Sequence, residues 1–133
     1  MNDSQNSPQQ FRAQLLQGHY NELRVALYFM LRGLHTRIGF DGGRFDVSFV
    51  SPKNHILKVE VKWDKKAAES VRVFFEFLNT RQKKPSGVAC TDADWWCQVL
   101  GTGERALLMP VPWLRDFLQS SNFKQVNTRG ADS

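Results

Sequence analysis

The residues of this chain most able to do chemistry together lie in two neighbouring segments, with Asp46 in the first and Glu60 and Lys62 in the second. If the second segment is a strand, Glu60 and Lys62 point to one face, about 6 to 7 Å apart, because side chains repeat every second residue. A short turn separates the segments, so antiparallel pairing would bring Asp46 across from that pair. Carboxylate oxygens suit Mg²⁺, which lowers the pKa of bound water and neutralises charge on a phosphate under attack. The lysine could orient that water or stabilise that charge.

Each of these residues also has an ordinary structural explanation. A Glu-x-Lys pair often results from alternating charge on an exposed strand, so residues 60–62 indicate a site only in combination with other groups. Asp46 at hairpin distance supplies such a group, and Glu22, an acid in the middle of an apolar helix, supplies another. Glu22 could equally lie on the wet face of its helix, beside Asn21 and Arg24.

Other conspicuous side chains are assigned no chemistry. Glu76 could join the site, but a pair with Arg72, on the same face of one strand, is favoured. The three histidines are isolated in the sequence, and such histidines are usually surface or hydrogen-bonded groups. Trp95 and Trp96 could stack on unpaired bases, although adjacent tryptophans more often pack one ring into a core.

The spacing of apolar residues predicts the elements that must position these groups. A helical period over residues 11–32 ends at Gly33, and strand-like alternation follows. Thr91 could cap a short helix that enters through residues 92–94, and Pro112 could open a last helix. The predicted strands cover residues 34–40, 44–50, 55–63, 70–78, 97–101 and 105–111.

This order of elements predicts an α/β fold in which helices pack on a mixed β-sheet. A chain of 133 residues with 41% hydrophobic residues can form one core, so two catalytic domains are excluded. We expect a single domain over residues 11–124. Residues 1–10 are expected to be a flexible arm or the start of a helix, and residues 125–133 a flexible tail.

Positive charge is concentrated around the second segment. The chain carries 18 basic and 13 acidic residues, and its net charge is +5. Residues 53–84 contain nine basic and four acidic side chains, an excess equal to that of the whole chain. Such a patch is typical of a polyanion-binding surface, although lysines on an ordinary solvated surface would look similar. The candidates for phosphate contact are Arg81, Lys83 and Lys84, followed by Lys65 and Lys66.

The residues Phe45-Asp46 and Val-Glu60-Val-Lys62, preceded by Gly18-x-x-x-Glu22 on a helix, resemble the PD-(D/E)xK nuclease superfamily of restriction-endonuclease-like folds. The resemblance implies a mixed sheet flanked by helices, with the core order α-β-β-β-α-β. It implies that Asp46 and Glu60 bind Mg²⁺, for which Mn²⁺ could substitute, and that Lys62 assists the attacking water. The carbonyl of Val61 would be a further metal ligand, and Glu22 would complete the site. Phe45 departs from the pattern, since the motif is named for a proline at that position.

A second segment extends the resemblance toward a subgroup. Pro85-Ser86-Gly87 and Thr91-x-Ala93-Asp94-Trp95-Trp96 are similar to small phage or prophage nucleases of this superfamily. The helix-first order and the small size also resemble Holliday-junction resolvases and structure-specific endonucleases of phages. The resemblance therefore favours a structure-specific enzyme, while restriction and repair enzymes share the same core.

The combined pattern predicts a Mg²⁺-dependent DNA phosphodiester hydrolase, an endonuclease. Two alternatives remain at this point: a noncatalytic nucleic-acid-binding module that keeps the fold, and a structural or assembly protein whose lysines keep it soluble. A homodimer would let two sites cut two strands, but the sequence indicates no interface. The apolar runs are too short for a membrane span, no secretory signal is evident, and Cys90 and Cys97 suggest no disulfide framework, so we expect a cytoplasmic protein with no membrane partner.

Overall fold

The structure is a computed structural model that describes residues 7–41, 44–67, 73, 75, 76, 78, 79 and 84–120. Two α-helices and seven strands are described, together with one 3₁₀ turn in the segment between the third and sixth strands. In chain order these elements are α1 (Pro8–Leu31), β1 (Thr36–Asp41), β2 (Arg44–Val50), β3 (Ile56–Asp64), β4 (Leu78–Asn79), β5 (Lys84–Pro85), the 3₁₀ turn (Gly87–Ala89), β6 (Trp95–Leu100), β7 (Arg105–Pro110) and α2 (Val111–Ser120).

Five of the strands form one mixed sheet in the order β1-β2-β3-β6-β7. The pairs β1–β2, β2–β3 and β6–β7 are antiparallel, and β3–β6 is parallel. A parallel pair needs a long crossover, which residues 65–94 supply. The strands β4 and β5 pair with each other inside this crossover. The predicted α/β class with a mixed sheet is confirmed.

Apolar side chains cover both faces of the sheet. On one face, Val25, Ala26 and Phe29 of α1 are buried in a cluster with residues of β2, β3 and β6 that include Val47 and Val59. On the other face, Trp96 of β6 packs with Val88, Val111 and Leu114 from the 3₁₀ turn and α2. Because successive strand residues alternate between faces, β6 contributes to both clusters. The sheet therefore lies between two helical layers.

The first helix is confirmed, and its start has a local cause. Ser7 and Gln10 form a capping box, in which the Gln10 N–H donates to the Ser7 hydroxyl (3.1 Å) and the Ser7 N–H donates to the Gln10 side-chain carbonyl (2.8 Å). Pro8 occupies the first turn, where its missing N–H costs nothing. The helix therefore begins inside the segment expected to be an arm or a helix start. It ends before Gly33, whose φ of 83° needs a glycine.

Two local predictions were wrong at described residues. In the strand predicted over residues 70–78, Val73, Phe75 and Glu76 lie outside any strand, Leu78 begins β4, and the other residues are outside the described ones. The helix predicted after Thr91 is absent, since residues 91–94 are not helical. The Thr91 hydroxyl accepts a hydrogen bond from Ala93 N–H (3.2 Å), a local bond that competes with helix formation. The predicted Glu76–Arg72 pair involves a residue outside the described ones.

Asp94, at the end of the crossover, forms hydrogen bonds with the sheet. Its carboxylate accepts a hydrogen bond from the Lys58 N–H (2.8 Å), and its own N–H donates to the Lys58 carbonyl (2.9 Å). Its carbonyl accepts from Val111 N–H at the start of α2 (2.9 Å). Among the described residues, the Asp92 side chain pairs with the Lys58 ammonium, and this exposed hydrogen bond and the lysine charge lower the pKa of its carboxyl.

We expect Asp94→Ala to lower the free energy of unfolding by about 1 kcal/mol, because the Lys58 N–H loses a charged acceptor. The matched variant Asp92→Ala should leave the urea midpoint unchanged, since exposed ion pairs contribute little. Urea denaturation followed by circular dichroism measures both variants. Equal midpoints for the two would contradict the assigned role of Asp94.

The two cysteines are free and lie in different environments. Cys90 is exposed, whereas Cys97 is buried under α1 and burial raises the pKa of its thiol to about 12. The adjacent tryptophans also differ. Trp96 is buried and Trp95 is half-buried, so the prediction that one ring packs inward is confirmed, although both lie on a strand. Within the described residues, no helix combines the length and apolar character that crossing a bilayer requires.

Candidate active site

Glu60 and Lys62 lie on the same face of β3, as predicted. They pair in the parallel register with Trp96 and Gln98 of β6, and Trp96 belongs to the cluster under α2. Their neighbour Val59 is buried in the opposite cluster, under α1. Both Glu60 and Lys62 are half-buried, so a carboxylate and an ammonium lie at a partly enclosed surface on the α2 side.

The antiparallel ladder between β2 and β3 ends beside these residues. Its last pair is Val47 with Val59, although both strands continue beyond it. Residues 44–46 of β2 remain paired with β1 only, and residues 60–64 of β3 remain paired with β6 only. We call the space between these two segments the β2–β3 gap. The gap is lined by backbone N–H and carbonyl groups that would be paired if the β2–β3 ladder continued.

The backbone places Asp46 and Glu60 at the mouth of the β2–β3 gap. Asp46 is the residue of β2 directly beyond Val47, and Glu60 is the residue of β3 directly beyond Val59. Continuing the register by one step therefore sets the two positions opposite each other. The side chain of Asp46 is outside the described part of the structure. The convergence of the Asp46, Glu60 and Lys62 side chains therefore remains a prediction. The backbone register of β2 and β3 is compatible with it.

The peptide groups of β3 indicate what faces the gap. The Lys58 N–H and carbonyl both bond to Asp94, and the Asp64 carbonyl accepts from Gly101 N–H (2.8 Å), so these peptide groups point toward β6. Backbone polar groups alternate sides along a strand, so those of Val61 point toward β2. Because pairing with β2 has already ended, the Val61 carbonyl is directed into the gap.

The oxygen atoms of Glu60 and Val61 are suitable ligands for a hard divalent cation. A carboxylate from Glu60 and a carbonyl from Val61 are oxygen ligands of the kind that Mg²⁺ accepts, with water filling the remaining positions. Among the described side chains, no three His, Cys, Asp or Glu residues cluster as a complete metal site would. An ion at the gap would therefore need the carboxylate of Asp46 as well.

Two residues that the sequence reasoning missed connect Glu60 to the loop before β6. The Thr91 hydroxyl donates to a Glu60 carboxylate oxygen at 3.4 Å, a long and weak bond. Arg115 of α2 fixes the loop that carries Thr91, since its Nε donates to the Val88 carbonyl (2.8 Å) and its Nη2 donates to the Thr91 carbonyl. The only sequence signal was the polar Thr91 itself, which had been interpreted as a helix cap.

A buried polar chain adjoins Lys62. The Trp96 indole N–H donates to the Gln98 side-chain carbonyl (2.7 Å), and the Gln98 amide donates to an Asp64 carboxylate oxygen (3.3 Å). All three residues are buried. Lys62 pairs with Gln98 in the ladder, so these three hydrogen-bonded side chains lie beside the candidate site. The spacing Glu-x-Lys-x-Asp at residues 60–64 could have indicated Asp64, and nothing in the sequence indicated Gln98.

Glu22 is half-buried on α1, which packs on the face opposite to Glu60 and Lys62. Its neighbour Arg24 donates to the Gly103 carbonyl, in the turn after β6. The middle of α1 thus lies near the end of the sheet toward which β3 runs. A role for Glu22 in binding metal remains a prediction.

The candidate phosphate-binding residues are only partly described. Lys65 and Lys66 are exposed and directly follow β3. The Lys65 ammonium lies 5.8 Å from the centre of the Trp63 ring, a cation–π distance. Lys84 lies in β5 with its side chain outside the described atoms, and Arg81 and Lys83 are outside the described residues altogether. The two placed lysines therefore add positive charge directly beyond the end of β3.

A scan of protein-family models and searches of curated proteins and of solved structures gave no match to this chain. The chemistry of the site is therefore inferred from its own residues. They supply a carboxylate, a carbonyl directed into a gap in the sheet, and a lysine two residues from the carboxylate.

Proposed function

We propose that this protein is a Mg²⁺-dependent DNA endonuclease of the PD-(D/E)xK superfamily, with a restriction-endonuclease-like fold. The observation that carries the proposal is the end of the β2–β3 ladder at the pair Val47–Val59. It opens the sheet at the positions of Asp46 and Glu60 and directs the Val61 carbonyl into the gap. An uninterrupted sheet would have used that carbonyl in pairing.

The order of elements also supports the proposed fold. A helix, three antiparallel strands and a crossover to a parallel strand follow one another, as the resemblance implies, with helices on both faces of the sheet. The two free cysteines suit a reducing cytoplasm, where such an enzyme would meet DNA.

In the proposed mechanism, Asp46, Glu60 and the Val61 carbonyl would hold the ion. When bound, Mg²⁺ supplies an activated water and neutralises charge on the phosphate. The ammonium of Lys62 orients that water or stabilises the negative charge of the transition state. Thr91 restrains the Glu60 carboxylate, and Lys65 and Lys66 contact neighbouring phosphates without reading base sequence.

A cleavage panel tests this function. The purified chain is incubated with duplex, nicked, single-stranded and four-way-junction DNA and with RNA, in Mg²⁺, Mn²⁺, Ca²⁺ or EDTA. We expect cutting in Mg²⁺ or Mn²⁺ and none in EDTA. Preferential cutting of the junction would support a resolvase-like, structure-specific enzyme.

Two other results would contradict the proposal that the protein is an enzyme. Tight, salt-dependent binding of DNA without cutting in either metal would support the noncatalytic binding module. Neither binding nor cutting of any substrate would support a structural or assembly role.

A further inference from the structure

The helix α1 is apolar on two opposite sides. One side packs on the sheet through Val25, Ala26 and Phe29, which are buried. The other side carries six large apolar residues, each between 46% and 78% exposed. We call these six residues the outer stripe: Leu16, Tyr20, Leu23, Leu27, Met30 and Leu31.

The outer stripe has the spacing of a helix-packing seam. From Leu16 to Met30 its residues follow at intervals of four, three, four and three. This 3.5-residue period keeps a row of side chains facing a partner helix along its whole length. At 1.5 Å per residue the row is about 20 Å long. A helix that packs on one side only normally shows polar residues on the other.

The interface area points to a second copy of this chain as the occupant. If each side chain offers roughly 200 Å², the middle of the range for aromatic side chains, six at these exposures present roughly 700 Å², against about 800 Å² per partner in a standard interface. Flanking Ala13, Gln17 and His19 can supply the remainder. A regular apolar row is complementary to itself, which is what a two-fold interface requires.

A membrane surface fits the helix less well than a second copy does. Helices that lie on lipid have a strongly charged face rich in Lys and Arg opposite the apolar one. The face of α1 opposite the outer stripe is buried against the sheet instead. The guanidinium of Arg24, near the middle of the helix, donates a hydrogen bond to the Gly103 carbonyl and so points toward the protein.

We propose that two copies of this chain form a two-fold dimer through the outer stripe of α1. The dimer leaves the β2–β3 gap open, because Glu60 and Lys62 lie on the face of the sheet that α1 does not cover. This inference goes beyond the proposed function and does not depend on it, so its test needs no DNA or metal.

Sedimentation velocity of the full chain from about 1 to 100 µM tests the dimer. We expect a mass near twice 15.3 kDa at the higher concentrations. The triple variant Leu16→Glu, Leu23→Glu, Leu27→Glu should weaken association at least about 100-fold, because it buries like charges at the seam. Ile56→Glu is the matched control, since Ile56 is 61% exposed at the start of β3 and should leave the dimer intact.

A crosslink provides a second readout in case the triple variant does not fold. Leu23 lies in the middle of the outer stripe, so it meets its own counterpart whether the two helices run parallel or antiparallel. In a Cys90→Ser background, Leu23→Cys should form a disulfide-linked dimer on mild oxidation, and Ile56→Cys should not.

Three results would overturn the proposal. The first is a monomeric wild type at 100 µM with no Leu23→Cys crosslink. The second is a folded triple variant that still dimerises. The third is a monomer that binds phosphatidylcholine–phosphatidylglycerol vesicles through the outer stripe, which would assign this face to a membrane instead.

Discussion

Replacing Glu60 with glutamine should reduce metal-dependent DNA cleavage by at least about 10²- to 10³-fold, the loss typical of removing one group that stabilises a transition state. The change removes the negative charge proposed to hold the ion while keeping the shape of the side chain. Binding of DNA should stay within about threefold of wild type, because the proposal assigns the substrate phosphates to lysines. Single-turnover cleavage and fluorescence anisotropy measure the two effects separately.

The same charge change elsewhere provides the control. Glu104 is exposed in the turn between β6 and β7, so Glu104→Gln should cut DNA at the wild-type rate. Asp46→Asn should match Glu60→Gln, because the register places the two positions opposite each other. Full activity in either Glu60→Gln or Asp46→Asn would exclude a metal site at the β2–β3 gap.

Replacing Trp96 with alanine should lower the free energy of unfolding by about 3 to 5 kcal/mol, as expected when a large core ring is deleted. Trp96 is 1% exposed and packs with Val88, Val111 and Leu114. Its loss also removes the indole donor of Gln98 and so disturbs the polar chain to Asp64. Urea denaturation at fixed protein concentration measures the change.

Trp113 provides a control of the same residue type. It is 52% exposed on α2 and stacks on Phe117, so Trp113→Ala should cost less than about 1 kcal/mol. The intermediate variant Trp96→Phe keeps most of the apolar contact and loses only the indole donor, so its cost should lie between the two. Equal losses for Trp96→Ala and Trp113→Ala would contradict the assignment of the core on the α2 side.

Local patterns were sufficient for most of the elements. The long helix and the strand pair before Glu60 follow from periods of 3.6 and 2, which depend only on which face is buried. The alternation at residues 57–63 correctly put Glu60 and Lys62 on one face. Prediction failed at the described residues 73, 75, 76 and 91–94. The conformation of residues 91–94 depends on bonds to distant partners, such as that between Asp94 and Lys58.

Local patterns could predict only those residues of the candidate site that lie close together in the sequence. Glu60 and Lys62 can be recognised because they lie two residues apart. Asp46 can be recognised because a single short turn separates its strand from theirs. Thr91, Gln98 and Arg115 reach the site across 31 or more residues of chain or through the α2 layer, and no local pattern records such contacts.

By itself, the sequence determined the α/β class, the first helix, the central strands and the shared face of Glu60 and Lys62, because these depend on side-chain period and short turns. Only the tertiary structure decided where the β2–β3 ladder ends, which peptide groups face the gap, and that α1 keeps a second apolar side exposed. Those features depend on how strands separate and helices pack, which involve residues far apart in the chain and are therefore not encoded in any single stretch of it.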